Sequence, residues 1–310
     1  MTAVEQTARP AALPRHRPGG RRSGRGRGAI SYLFISLYTA LTLAFGVVPA
    51  LYALYLAVTD ANGGFAGAAN FTKVVKDFRF LPAVGHVAYF LVIWLVALVL
   101  FVTVLAIAVH ALRLRWLGSS LRLIFYLPGA LAGASSVLLW LFLLDPTASP
   151  VGGLLRFLGF DSFVQVIVPA NLPPIFAIIA FWTGAGGWIV IMYGALNNIS
   201  ADVIEAARID GAGPIQIAWR IQLPLLRKWI SYLGIMSLAA GIQLFVEPQL
   251  LSQASNAVVP NDYSLNQLAY QYAFQQNDFN GAAAISLLLL VIALALSAVF
   301  VLRGGLFETD

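Results

Sequence analysis

Six long apolar runs, separated by short polar stretches, set the pattern of this chain. They lie at about 29–58, 84–109, 123–144, 174–196, 229–247 and 282–302. A helix of about 20 apolar residues crosses the hydrocarbon layer of a bilayer, so each run is long enough to span it. In hydrocarbon every backbone N–H and C=O must find its partner within the protein, and a helix meets that need by itself. The pattern therefore predicts an all-α polytopic membrane protein with six transmembrane helices. The third run ends at Asp145-Pro146, and the fifth is expected to break at Glu247-Pro248, where proline removes a backbone donor.

The polar stretches give the expected orientation. Residues 1–29 contain RPGGRRSGRGRG, lack apolar periodicity and read as a disordered Arg/Gly-rich tail. Arg21-Arg22 ahead of an apolar run suggests an export signal, but that run is too long for a signal-peptide core and further spans follow it. With the tail inside, fifteen Lys and Arg fall in inner segments, against Lys73, Lys76, Arg79 and Arg156 in outer ones. Basic residues concentrate in cytoplasmic loops, so both termini are expected in the cytoplasm. The expected division is a tail over 1–29, a transmembrane domain over 30–305 and a cytoplasmic end over 306–310.

Composition narrows the function classes. The chain is 60% hydrophobic and 10% charged, whereas soluble domains carry about 25% charged residues. Six spans and their loops use up the 310 residues, leaving no room for a soluble domain of ordinary size. Cysteine is absent, so neither a disulfide framework nor a thiolate metal site is expected. The net charge of +6 is dispersed over tail and loops and does not form a nucleic-acid footprint. His86 and His110 each stand without a partner at metal-ligand spacing, and no metal site is expected. A membrane-embedded transferase needs converging acids or bases, yet Asp145, Asp161, Glu205 and Asp210 are scattered. An ion-coupled transporter needs buried ion ligands, and the spans are poor in charge.

The loop between the fourth and fifth runs differs from the others. Positions 197–214 read NNISADVIEAARIDGAGP. Ser200 is placed as an N-cap, with Asp202 in the first turn, where negative charge favours the helix dipole. Ile204, Ala207 and Arg208 recur at helical spacing, and Glu205 and Arg208 sit at i, i+3, a pairing worth a few tenths of a kcal/mol. Gly211 supplies a stop through positive φ, and Gly213-Pro214 restarts a helix with proline at its first position. Leu223-Pro224 is expected to end that second piece. Physics alone leaves two readings of 197–226: an interfacial helix tidying a loop, or a rigid joint for a partner.

Glu205-Ala206-Ala207, Gly211 and Ile221-x-Leu223-Pro224 resemble the EAA loop of binding-protein-dependent ABC import permeases. The fuller run EAARIDGAGPIQIAWRIQLPLL is similar to the carbohydrate-uptake, MalF-like branch. Asn70-Phe71, the stretch Arg122–Pro128, Leu139-Trp140, Asp145-Pro146, Ala273-Phe274 and 281–284 resemble other elements of that family, so the likeness covers about 30–305. It implies a type I ABC importer transmembrane domain in the inner membrane of a prokaryote, in a short form without a large periplasmic insertion. It further implies a second, MalG-like permease subunit, two ATP-binding subunits that carry ATP and Mg, and an external solute-binding protein. This chain would hold no cofactor. Coupling would run through Glu205, Ala206, Ala207, Asp210, Gly211, Leu223 and Pro224. The chain departs from the family where a Gly-Gly-Pro element follows the fifth span; 252–257 reads SQASNA here. No GxxxxGK[ST] nucleotide loop occurs, so the energy source lies in another subunit.

The implied cargo is a sugar or sugar-like solute, with a polyol phosphate as the alternative. Transporter sites lie near the midplane on helices interrupted by Gly, Pro or polar groups. The fourth run holds three glycines between Trp182 and Trp188, read either as close helix approach or as a platform for a sugar ring. The fifth offers Gln243 and Glu247, four residues apart and expected on one helix face. Intramembrane carboxylates normally face protein or water, so these four residues are the expected lining of the passage. The outer segment 251–280, polar and rich in tyrosine, is read as either a contact for the external binding protein or an interfacial aromatic belt.

Overall fold

The computed structural model describes residues 35–303 apart from 113, 132, 256 and 257. The tail over 1–29 and the end over 306–310 lie outside the described residues. Among the described residues, those up to Leu51 form one compact unit and those from Tyr52 onward a second. Helix α1 (Ile35–Val58) has a mean hydropathy of 2.0 and contains a π turn at Leu43–Val47. Its Thr39 hydroxyl donates to the Ile35 carbonyl at 2.8 Å, so that polar group is satisfied inside the helix.

The second unit is helical, and among the described residues its β pairing is one isolated bridge, Thr59 to Phe65. Short α2 (Ala69–Val75) precedes the long α3 (Phe80–His110). Next come α4 (Arg115–Tyr126), α5 (Ala134–Leu143), and two short pieces, α6 (Gly152–Phe157) and α7 (Phe163–Val166). The long α8 (Leu172–Asn197) leads into α9 (Ala201–Ile209). Helix α10 (214–225) runs through a π turn at Ala218–Gln222. Finally come α11 (Arg227–Gly241), α12 (Val246–Ala254), α13 (Leu265–Tyr270) and α14 (Phe279–Arg303).

Among the described residues four helices are long and apolar enough to cross a membrane: α1, α3, α8 with its preceding turn, and α14. The count reaches six if each of two bent pairs is one span, and the fold is that of an all-α polytopic membrane protein. In the third run, expected as one span over 123–144, a 3-10 turn at Leu127–Leu131 separates α4 from α5. Pro128 inside that turn has no N–H to continue an α-helix. The fifth run bends by 42° between α11 and α12. That break falls at 242–245, ahead of Glu247-Pro248. Proline is tolerated in a first helical turn, where its N–H would be unpaired anyway, so here it opens α12 instead of closing α11.

Helices α3 and α8 pack side by side at the centre. On α3 the buried residues Val87, Phe90, Leu91, Trp94, Leu98, Val102 and Ala106 recur every three or four positions, one stripe of a helix. Val92, Val96, Leu100 and Val104 point outward and are exposed. In lipid both faces are apolar, so close packing selects the inner one. Gly186 of α8 lies against the Phe125 carbonyl and Tyr126 Cα of α4, and a Cβ there would collide with that backbone. Helices α11 and α13 lie against α3, α14 packs on α2, α11 and α13, and α12 packs on α5.

A hydrogen-bonded cluster gathers at the Phe80 end of α3. The Arg79 guanidinium donates to both Asp77 carboxylate oxygens at 3.0 and 2.7 Å and to Gln271 Oε1 at 2.8 Å. The Tyr272 hydroxyl donates to Asp77 at 2.7 Å, and Lys73 pairs with Asp278 at 2.5 Å. Two asparagines hold the chain after α1. Asn70 donates to the Ala57 and Thr59 carbonyls at 2.9 and 2.8 Å, and Asn280 to those of Leu56 and Thr59 at the same two distances. The Arg79 guanidinium holds the Asp77 carboxyl far below the ordinary carboxylate range. Burial, aided by the Asp77 carboxylate, pushes the Tyr272 hydroxyl up to about 12.

Candidate functional site

The segment 197–226 lies beside the other end of α3. Ser200 has extended ψ, and its hydroxyl accepts from the Asp202 amide at 3.3 Å, satisfying one of the free donors that begin α9. Asp202 sits in the first turn and Arg208 in the last, each at the helix end whose partial charge it opposes. At the far end Gly211 takes φ +84°, the Ala212 amide donates back to Ala207 at 2.9 Å and the Gly211 amide to Arg208 at 3.0 Å. That is the glycine-dependent closure of a helix C-terminus. The Gln216 side chain then accepts from the Gly213 amide at 3.0 Å, and Pro214 starts α10.

Leu223-Pro224 does not end this second piece. The Leu223 amide donates five residues back to Ala218, making the π turn, and the helix continues through Leu225. The wider turn lets the chain carry Pro224 without breaking. Leu226 leads at once into α11, whose Ile230 amide donates to the Leu226 carbonyl at 2.8 Å.

Helix α9 stands out from the bundle and buries none of its residues. Glu205, Ala206, Asp210, Gly211 and Pro224 are exposed, while Ala207 and Leu223 are half-buried. Large apolar side chains are held outward here: Ile209 is 87% exposed and Ile215 is 75% exposed. The i, i+3 pair of Glu205 with Arg208 does not form; the ion pairs among the described residues are those of Lys73 and Arg79. Glu205 and Arg208 instead line a cleft of about 270 Å³ with His110, Asn197 and Gln222.

This cleft ties α9 to α3, α8 and α10. The His110 ring meets Tyr193 of α8 edge-on at 5.5 Å and faces the same cleft as Asn197. The Arg122 guanidinium of α4 lies 3.9 Å above the Tyr193 ring, within cation–π range. Sequence reasoning took His110 as isolated, because its partners are more than 80 positions away. A His at a span end followed by an Asn at the end of another was the available signal.

The four residues expected to line a passage are not brought together. Trp182 packs edge-on against Trp140 at 5.8 Å and Trp188 against Tyr232 at 5.7 Å. Six residues of α-helix rotate by about 600°, so the two indoles point to different sides of α8. Gln243 and Glu247 do not share a helix face, because the chain turns between them. Gln243 is exposed after the end of α11, and its amide donates to Ala239 at 3.4 Å. Glu247 is half-buried in the first turn of α12. Of the three glycines between the tryptophans, Gly186 serves close helix approach, whereas Gly184 and Gly187 face open space.

A family profile described as binding-protein-dependent transport system inner membrane component matches residues 102–304. The chain is similar to the multiple sugar-binding transport system permease protein MsmF of Streptococcus mutans serotype c, 28% identical over 286 residues. That match covers 89% of this chain and 96% of MsmF. It is also similar to the diacetylchitobiose uptake system permease protein NgcF of Streptomyces coelicolor, 29% identical, covering 98% of this chain and 91% of NgcF. In fold it matches a chain of a bacterial ABC transporter involved in the import of the acidic polysaccharide alginate, with a TM-score of 0.77 and 19% identity. That match covers 92% of this chain and 98% of the other.

Proposed function

This chain belongs to the binding-protein-dependent transport system inner membrane component family, and from that premise we propose how it works as the permease subunit of an ABC sugar importer. It sits in the inner membrane with both termini in the cytoplasm, beside a second permease subunit. Two ATP-binding subunits hold ATP and Mg and supply the energy; an external binding protein delivers a sugar or sugar-like solute. Helix α9 and the turn at Gly211 seat in the ATPase. When ATP draws the two ATPases together, that seat moves α9, and the spans rock between inward- and outward-facing states around the solute.

One observation carries the coupling role. A nine-residue helix with no buried residue is capped at both ends and holds Ile209 in solvent. Isolated helices this short are marginal in water. Local caps and the cleft at His110 hold it in shape before any partner arrives, and preorganisation of that kind favours docking.

The test is Gly211→Asp. A Cβ at Gly211 meets no atom within 4 Å, but φ of +84° strains any side chain there, so Gly211→Ala is the matched control that separates backbone strain from the charge added to the docking surface. ATP-driven uptake by the reconstituted complex is expected to fall at least about 30-fold, the effect of losing a buried contact worth about 2 kcal/mol. Normal uptake with intact ATPase docking refutes the coupling role. For the cargo, titration of the cognate binding protein with neutral sugars and with polyol phosphates is expected to favour the sugars.

A further inference from the structure

The cleft beside α9 holds one polar group that the coupling role does not use. Gln222 closes the π turn of α10 and is 8% exposed. Its side chain lines the cleft, yet its carboxamide makes no hydrogen bond to any described residue. An amide carries both an acceptor and donors, and leaving them buried and unmet is costly. Water or a ligand in the cleft supplies the missing partners. Single π turns recur at functional sites, and in this one Gln222 is buried between two half-buried neighbours, Ile221 and Leu223.

The rest of the lining narrows the ligand. His110 is half-buried on α3, and Asn197 stands at the end of α8. Glu205 and Arg208 of α9 line the same cleft and are exposed, so they stand at its mouth. One acid beside one base favours neither an anion nor a cation. Two amides, an imidazole and a carboxylate suit hydroxyl groups, each of which donates and accepts. Leu196 and Ile204 add an apolar patch to the wall, which suits the C–H face of a sugar ring. The volume of about 270 Å³ lies below the range of about 300–1,000 Å³ usual for drug-sized ligands, so the cleft has room for one such ring.

We propose that this cleft is a cytoplasmic regulatory site for a neutral polyhydroxylated molecule, the imported sugar, of which it holds one ring. The inference rests on the importer reading above and on the orientation stated there. Hydroxyls on several sides of a ring bond Gln222 of α10, His110 of α3, Asn197 of α8 and Glu205 of α9 at once. A ligand held in this way ties α9 to the helices against which it moves during the transport cycle. It acts through its preference for the arrangement in which these walls stand together. Sugar accumulating in the cytoplasm thus slows its own import.

The assembled transporter is sealed with ATP in vesicles, its cytoplasmic side inward, and labelled sugar and binding protein are added outside. The lumen holds buffer, the same sugar unlabelled, or glycine betaine, which has no hydroxyl. The ratio of initial uptake rates with and without the luminal solute is taken within each variant. Luminal sugar is expected to lower the native rate at least about fivefold, the lower end of ordinary coupling between two sites, and betaine to leave it unchanged. The effect disappears in Gln222→Leu, which removes the buried amide, and in Ala201→Phe, which fills the cleft from an exposed position on α9. A native rate indifferent to luminal sugar overturns the proposal, since the cleft then holds water alone. Undiminished inhibition in either variant overturns it too, because the sugar then acts within the passage, as does an equal effect of betaine. Hydrogen exchange of the α9 amides, measured in nanodiscs without ATP or binding protein, reads binding apart from transport. Added sugar is expected to slow it in the native chain and not in Gln222→Leu; no slowing overturns the site. Absence of uptake into buffer-filled vesicles counts against the importer reading instead, and the exchange measurement still decides the site.

Discussion

The two ends of α3 are built differently. At the Phe80 end, charged and amide groups find partners inside the chain: Asp77 with Arg79 and Tyr272, Lys73 with Asp278, and Asn70 and Asn280 with carbonyls at the end of α1. At the His110 end Ser200 and Gly211 cap α9 locally, and Val203 and Ile209 of its apolar residues are exposed. A region whose polar groups are satisfied internally is a frame. One that spends its hydrogen bonds on shaping a helix, and leaves Ile209 and Ile215 uncovered, is finished only when something covers it. Rigid frame and waiting joint share one helix, so a push at α9 has a stiff element to act on.

The sharpest way to break this contrast is to charge the joint. Ile209→Asp is expected to weaken ATPase association by roughly 100-fold, about 3 kcal/mol, measured by copurification and titration. The thermal stability of the lone chain should stay within about 0.5 kcal/mol of native, because the position is exposed. A matching loss of stability would show that Ile209 belongs to the frame.

The converse variant is Asp77→Ala. It leaves the Arg79 guanidinium and the Tyr272 hydroxyl without their shared acceptor, and is expected to cost about 2 kcal/mol in detergent unfolding. ATPase affinity should not change. Ser200→Ala comes next, with a loss of about 1 kcal/mol from the cap of α9. It should appear as a weaker ATPase complex and not as a lower unfolding temperature.

The smallest expected effect is that of mild acid on the frame. Asp77 is depressed in the folded state, chiefly by its hydrogen bonds to Arg79. Its stabilising contribution is therefore present above the unfolded value of about 4 and is lost as pH falls through the lower folded value. Between pH 7 and pH 5 the difference in unfolding temperature between native and Asp77→Asn should stay constant. Narrowing within that window would show that Asp77 is not held as described.

The helical, membrane-spanning class was legible because apolar runs of span length are strong, local signals. The cap at Ser200 and the turn at Gly211 were legible too, since both depend on neighbours only a few positions away. Breaks inside spans were harder. Along the sequence Pro248 reads as a terminator, but its position relative to a new helix start decides whether proline ends or opens a helix. Pro224 reads as a stop in the same way, and the π turn that ends two residues before it absorbs it. The expected shared face of Gln243 and Glu247 assumed an unbroken helix, and the turn after Gly241 removes it. His110 with Tyr193 and Asn197, and Asp77 with Tyr272, are joined only by the packing of distant helices, which spacing along the chain does not report.

The π turn at Ala218–Gln222 means that α10 holds one residue more than an α-helix covering the same rise. Five residues in a π turn and four in an α-helix cover nearly the same angle, so deleting one residue within 218–222 lets the turn relax to ordinary α geometry and leaves 214–217 aimed as they are. The same deletion in an unbroken α-helix would swing Ile215 by about 100°. The wide turn thus keeps the aim of Ile215 through a change of one in the residue count.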